Sequence, residues 1–218
     1  MGLVLLALNR SYPDAPVFEF WFRSAVIVSG CSTVGVVIAS RRPAHPIGWI
    51  FCALGFVGGV HLFCGEYAIY ASVVERGSLP GGGVSAWIVG WLWVPLNALL
   101  AFLALLFPDG KLPSPRWRPV GWLNGVVAVA GSFVAALMPG PGPWIDTLDN
   151  PFGVEGLKGA YNLIDASLEA LSYGVLGVAG VVSMYFRFRR GGLVERQQIK
   201  WLAYAGAVRL TGAGLLYA

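Results

Sequence analysis

Stretches of roughly 20 consecutive apolar residues recur along this chain, separated by short polar breaks, and that spacing matches the hydrocarbon thickness of a bilayer. They fall at about 17–40, 47–71, 86–107, 120–138, 161–186 and 201–218. A lone apolar run in lipid must satisfy its own backbone hydrogen bonds, so each is expected to be helical. The whole chain of 218 residues is 56% hydrophobic and 12% charged, with mean hydropathy +0.68. No soluble domain of this size can hide so much apolar surface. The expected fold is all-α, a polytopic membrane bundle of about six helices forming one domain over 1–218.

The breaks between the runs set an orientation. One alternate set of loops, 41–46, 108–119 and 187–200, carries Arg41, Arg42, Lys111, Arg116, Arg118, Arg187, Arg189, Arg190, Arg196 and Lys200. The opposite set carries Arg10, Arg76 and Lys158 among Asp14, Glu75, Asp146, Asp149 and Glu155. Short loops rich in Lys and Arg stay in the cytoplasm, so the first set is expected inside and the segment before Val17 outside. A basic pI here follows from topology, and no nucleic-acid partner is expected. Met1 to Leu8 is apolar but too short to span, and it lacks the ordered features of a signal peptide. The last run is still apolar at Ala218, which leads to the expectation of a chain cut before a further domain.

Ionisable groups inside spans are the default candidates for function, because a charge at the bilayer centre costs about 2.5–3.5 kcal/mol on insertion scales. Glu66 and His61 lie in the second run, Asp165 and Glu169 share a face of the fifth, and Arg209 sits mid-way along the sixth. One reading makes Glu66, Asp165 and Glu169 the acidic wall of an outward-opening cavity with Arg209 as partner. The other leaves Asp165 at the wet interface, Arg209 snorkelling and Glu66 bonded to a neighbouring helix. There is no P-loop, HExxH or GxSxG pattern, so no catalytic residue, cofactor or metal is expected. Cys31, Cys52 and Cys64 lie in apolar runs without CxxC spacing and read as small core residues.

Small residues and turns supply the remaining signals. Gly55 and Gly59 form a GxxxG pair, and Gly174, Gly177 and Gly180 share one side of the fifth run; both imply close helix approach, within the chain or in a dimer. Pro46-Ile47-Gly48-Trp49 and Pro119-Val120-Gly121-Trp122 open two helices alike, through a duplicated unit or two similar solutions to starting a membrane helix. Gly81-Gly82-Gly83 reads as a loose linker. The outer loop 139–159 contains Trp144, placed at the interface, and Asn150-Pro151-Phe152-Gly153, a turn with a buried aromatic. That loop reads as a lid that binds a ligand or as a connector.

Four polar stretches, in order, carry a resemblance. They are Arg41-Arg42-Pro43-Ala44-His45-Pro46-Ile47-Gly48-Trp49, Leu106-Phe107-Pro108-Asp109-Gly110-Lys111-Leu112-Pro113-Ser114-Pro115-Arg116-Trp117, Asn150-Pro151-Phe152-Gly153, and Val194-Glu195-Arg196-Gln197-Gln198-Ile199-Lys200-Trp201. Together they resemble the multi-helix membrane sensor region of bacterial, actinobacterial-type two-component histidine kinases. The resemblance implies a sensory input module in the bacterial inner membrane, a homodimer, and cytoplasmic kinase domains beyond this chain that act on a response regulator. Kinase activity would belong to the parent protein. Coupling would run through the cationic loops, with Asp109, Arg116, Arg118, Glu195, Arg196, Gln197 and Gln198 as candidates. The alternatives are a small transporter or permease, in which Glu66, Asp165, Glu169 and Arg209 line a path, and an accessory membrane protein.

Overall fold

The computed structural model of the chain describes Leu5, Asn9 and residues 18–74, 79–142 and 145–214. Apart from Leu5, the Met1 to Leu8 segment lies outside them, as does Trp144. The described residues form helical rods that overlap the expected runs: α1 (Phe18–Arg41), α2 (Pro46–Ile69, continued by a π-helical Tyr70–Val74), and α3 (Gly82–Leu106). Next, α4 comprises Arg118–Val126, a π-helical Val127–Gly131 and Ser132–Ala136, while α5 comprises Tyr161–Glu169, a π-helical Ala170–Val175 and Leu176–Arg190. Finally, α6 spans Leu193–Gly214. Among the described residues four helices are long and apolar enough to cross a membrane: Pro46–Ser72, Gly82–Leu106, Pro115–Ala136 and Ala166–Arg190. Ala25–Arg41 is a shorter apolar helix. These helices give the chain the character of a multi-pass membrane protein.

Local chemistry explains the boundaries. His45 is extended, at φ −90° and ψ 118°, and Pro46 follows in the first helical turn, where its missing N–H loses nothing. The expected linker at Gly81 is instead a helix start. Gly81 takes φ 87°, its carbonyl accepts the Ser85 N–H at 2.9 Å, and Gly82 and Gly83 belong to α3. A left-handed residue needs glycine, and the next two simply continue the turn it begins. The fold is all-helical as expected, and the outer loop 139–159 adds one small feature. There a short antiparallel hairpin pairs β1 (Pro141–Gly142) with β2 (Ile145–Asp149) in the register Pro141↔Asp149 and Gly142↔Ile145.

Packing makes α3 the central helix, with α2, α4 and α5 against it and α1 along α2. Val94 and Ala101 of α3 meet Val127 of α4 and Leu176 of α5 in one buried cluster. Ile47 and Leu54 of α2 meet Leu103 of α3 in another, against which Leu202 of α6 is packed. Inside the bundle, the fully buried Asn124 donates from Nδ2 to the Ala98 carbonyl at 2.9 Å. Such an interhelical bond in an apolar setting contributes about 0.6 kcal/mol.

Glycines bring α1 and α2 together. A Cβ on Gly35 would lie 2.5 Å from the Cys52 nitrogen, one on Gly48 2.8 Å from the Ala39 nitrogen, and one on Gly55 3.0 Å from the Ser32 Cα. The Gly55 half of the GxxxG pair therefore serves contact within the chain. On α5 the three glycines divide: a Cβ on Gly180 would meet the Ala104 Cβ at 2.8 Å, whereas one on Gly174 or Gly177 would meet nothing within 4 Å among the described residues. The two Pro-x-Gly-Trp stretches also divide. A Cβ on Gly121 would meet the Leu112 side chain at 3.8 Å, ordinary contact, so the tight approach at Gly48 has no counterpart there. Gly48→Ala should therefore lower stability by about 1–3 kcal/mol through overpacking. Gly121→Ala should leave it unchanged or raise it by up to about 1 kcal/mol from helix propensity. Thermal unfolding of both variants in detergent measures the contrast.

Candidate functional site at the cationic loop end

α3 stops where Pro108 cannot continue it, and the carbonyls of its last turn need partners. The Phe107 N–H donates to the Leu103 carbonyl and the Gly110 N–H to the Leu106 carbonyl, both at 2.8 Å. The Leu105 carbonyl is served by α5, from the Ser183 hydroxyl at 3.4 Å and Arg187 Nη2 at 3.3 Å. Ser183 and Arg187 are four residues apart, so one face of α5 caps the end of α3. Gly110 takes φ 76°, and a Cβ there would lie 2.7 Å from the Pro46 ring. Both its backbone conformation and its contact with the start of α2 exclude a side chain.

Asp109 faces Arg187. Its Oδ1 accepts Arg187 Nη1 in an ion pair and the Lys111 N–H at 3.2 Å, while Arg187 Nη2 also donates to the Lys111 carbonyl. The Arg187 side chain is 12% exposed against 48% for Asp109, so the guanidinium is the enclosed partner. Partial burial pushes the Asp109 carboxyl up, but the hydrogen bonds from Arg187 and Lys111 and the guanidinium charge outweigh it, leaving its pKa below the usual carboxylate range. Asp109 was expected in a turn between α3 and α4; its strongest tie runs to α5.

The other coupling candidates divide into braced and unbraced groups. Glu195 Oε2 accepts the Gly192 N–H at 3.2 Å at the start of α6, and Arg196 Nη2 donates to the Arg189 carbonyl at 3.3 Å. These two contacts brace the bend between α5 and α6. Gln197, Arg116 and Arg118 are exposed. Gln198 borders a cleft of about 360 Å³ at this same end. Its polar rim is completed by Arg41, Arg42 and His45, and its apolar wall comes from Val37, Ile38, Ile47 and the Phe107-Pro108 turn.

The sensing candidates lie elsewhere. Glu66 is half-buried on α2 and accepts the Asn9 Nδ2 at 2.7 Å, and that same amide donates to the Glu66 carbonyl at 3.1 Å. His61, also half-buried, has its Nε2 enclosed without a partner among the described residues. Glu169 is exposed on α5. Glu66 and Glu169 stand on α2 and α5, which both pack on α3. Asp165 and Arg209 lie on α5 and α6, with side chains outside the described residues. Among the described residues no group of three or more His, Cys, Asp or Glu gathers to hold a metal.

At the opposite end Asn150 closes α4. Its Nδ2 donates to the Ala136 and Met138 carbonyls at 2.9 and 2.7 Å, and its Oδ1 accepts the Phe152 N–H at 2.9 Å. Trp87 Nε1 joins at the Ala136 carbonyl, 2.8 Å away. Phe152 lies against Trp87 with the rings tilted at 58° and centroids 4.8 Å apart, yet remains 52% exposed, so the expected buried aromatic is a half-open one. The motif is a structural corner.

Three residues escaped the sequence reading: Arg187, counted only as a loop cation; Asn9, in a segment too short to interpret; and Asn124, passed over because it carries no charge. For Arg187 the available signal was Ser183 four residues earlier on the same helical face.

A group whose folded pKa is depressed stabilises the fold above its unfolded pKa, and that contribution disappears as pH falls through the folded value. Asp109→Asn should therefore cost about 1 kcal/mol at neutral pH, discounted for exposure. Wild type and variant should converge as pH drops below the ordinary carboxylate range, about 4. Thermal unfolding in detergent across that range checks both statements.

Comparison with protein families, with curated proteins and with solved structures finds no match.

Proposed function

We propose that the chain is the membrane-embedded sensory input module of a bacterial two-component histidine kinase. In this reading all six rods cross the inner membrane, and loops 41–46, 108–119 and 187–200 are cytoplasmic. The module acts as a homodimer and relays an extracellular or membrane signal to kinase domains outside this chain, which phosphorylate a response regulator. The observation that carries the reading is convergence. Three polar stretches far apart in sequence, 41–49, 106–117 and 194–201, meet at one end of the bundle. There Arg187 fastens the Asp109 turn, and Gln198 shares a cleft with Arg41, Arg42 and Pro108.

Such a joint suits a relay. A displacement of α5 along α3 strains the Arg187 bonds first, and four residues beyond Arg187 the chain bends into α6. Interfaces with two discrete packings convert small shifts into larger ones. No observation favours the transporter or accessory-protein reading over this one.

Two measurements test the proposal at different levels. Alkaline phosphatase fused after Lys111 should be inactive and after Lys158 active, as the cation asymmetry demands; the reverse pattern contradicts the topology. The coding sequence after Ala218 should continue into a dimerisation and phosphoacceptor domain and an ATP-binding domain. A reading frame that closes there contradicts the kinase assignment while leaving the topology intact.

A further inference from the structure

The cleft at the cationic end has a rim of polar groups that the fold leaves unused. Neither Arg41 nor Arg42 has an ion-pair partner among the described residues, and His45 Nδ1 is enclosed without a hydrogen-bond partner. The cations of α5 and α6 at this end are all engaged. Arg187 pairs with Asp109, Arg189 lies over Tyr185 at 5.9 Å, and Arg190 lies over Phe186 at 5.8 Å. Arg196 and Lys200 both lie over Phe188, at 5.9 and 6.0 Å. Arg116 and Arg118 are exposed too, but neither borders the cleft. Among the described residues, Arg41 and Arg42 are the cations that border this apolar hollow, and neither has an ion-pair partner.

We propose that this cleft binds one anionic phospholipid from the adjoining leaflet. Its phosphate sits on Arg41 and Arg42, and the first part of an acyl chain lies against Val37, Ile38 and Phe107. Guanidinium forks match phosphate oxygens in geometry and charge, which selects an anionic headgroup. The hydrocarbon wall selects an amphiphile over free phosphate, which has no use for Val37 or Ile38. The volume, about 360 Å³, admits a headgroup and a few methylenes, with the rest of the chain outside in the bilayer. The bound lipid touches α1, the Phe107-Pro108 turn and Gln198 of α6 at once, adding to the packing of Ile38, Phe107 and Leu202 on the Ile47, Leu54 and Leu103 cluster. The inference goes beyond the sensor assignment and rests only on the bundle lying in a membrane with this end at the interface.

The test uses the purified chain and native mass spectrometry, titrating phosphatidylglycerol, phosphatidylcholine and inorganic phosphate. The wild type should retain one phosphatidylglycerol in preference to phosphatidylcholine, and inorganic phosphate should not displace it. The double variant R41Q/R42Q should weaken that binding by about tenfold or more, whereas R116Q/R118Q, away from the cleft, should bind like wild type. Val37→Trp, which fills the hollow and keeps both arginines, should weaken it as well; helical content by circular dichroism identifies any variant that fails to fold. Equal retention of the two lipids, displacement by inorganic phosphate, or unchanged binding in folded V37W overturns the proposal.

Discussion

Arg187 is the point on which the cationic end of the bundle depends. Its guanidinium lies at the end of α5, and from there it reaches the last turn of α3, the Asp109 carboxylate and the backbone beyond it. A helix that ends on a proline turn leaves carbonyls without partners, and in an apolar setting each is costly. A cation with five donors in a fixed fork supplies what the local chain cannot. The turn then has a defined shape: Asp109 for the charge, and Gly110 for the left-handed backbone that brings the loop onto Pro46.

From that joint the rest of the architecture follows by contact. α3 touches α2, α4 and α5, so holding its end holds the centre of the bundle. α1 is attached through α2 by close glycine contacts at Gly35, Gly48 and Gly55, which depend on the absence of side chains. α6 meets the others through Leu202 and the buried Ile199, beside the Glu195 and Arg196 contacts that shape the bend before it. The Asn150 corner at the opposite end performs a similar duty for α4 through neutral hydrogen bonds.

The four long apolar helices were legible in the sequence because hydrophobic run length and proline or glycine punctuation are local signals, whereas α6 begins at Leu193, ahead of the apolar run expected from 201. Pro46 and Pro108 mark boundaries that hold to within a residue or so. The π-helical segments at Tyr70–Val74, Val127–Gly131 and Ala170–Val175 were not legible, since one extra residue in a turn leaves no mark on an apolar run. Nor was the site. Charge counting sorts Arg187 with every other loop cation and says nothing of its inward direction, which depends on which face of α5 meets α3. Glu66 and Glu169 both fall in outer halves of spans, and that their helices both pack on α3 is a property of the packing order. The cleft joins 37–47, 107–108 and 198, a grouping that no sequence period contains.

The most direct measurement is a double-mutant cycle between Asp109 and Arg187, using Asp109→Asn, Arg187→Gln and both together, with reversible unfolding in detergent. A direct tie between the Asp109 turn and α5 predicts a coupling free energy of about 0.5–1 kcal/mol at neutral pH. A coupling within about 0.3 kcal/mol of zero would mean the two side chains act independently, and would contradict the central place given to Arg187.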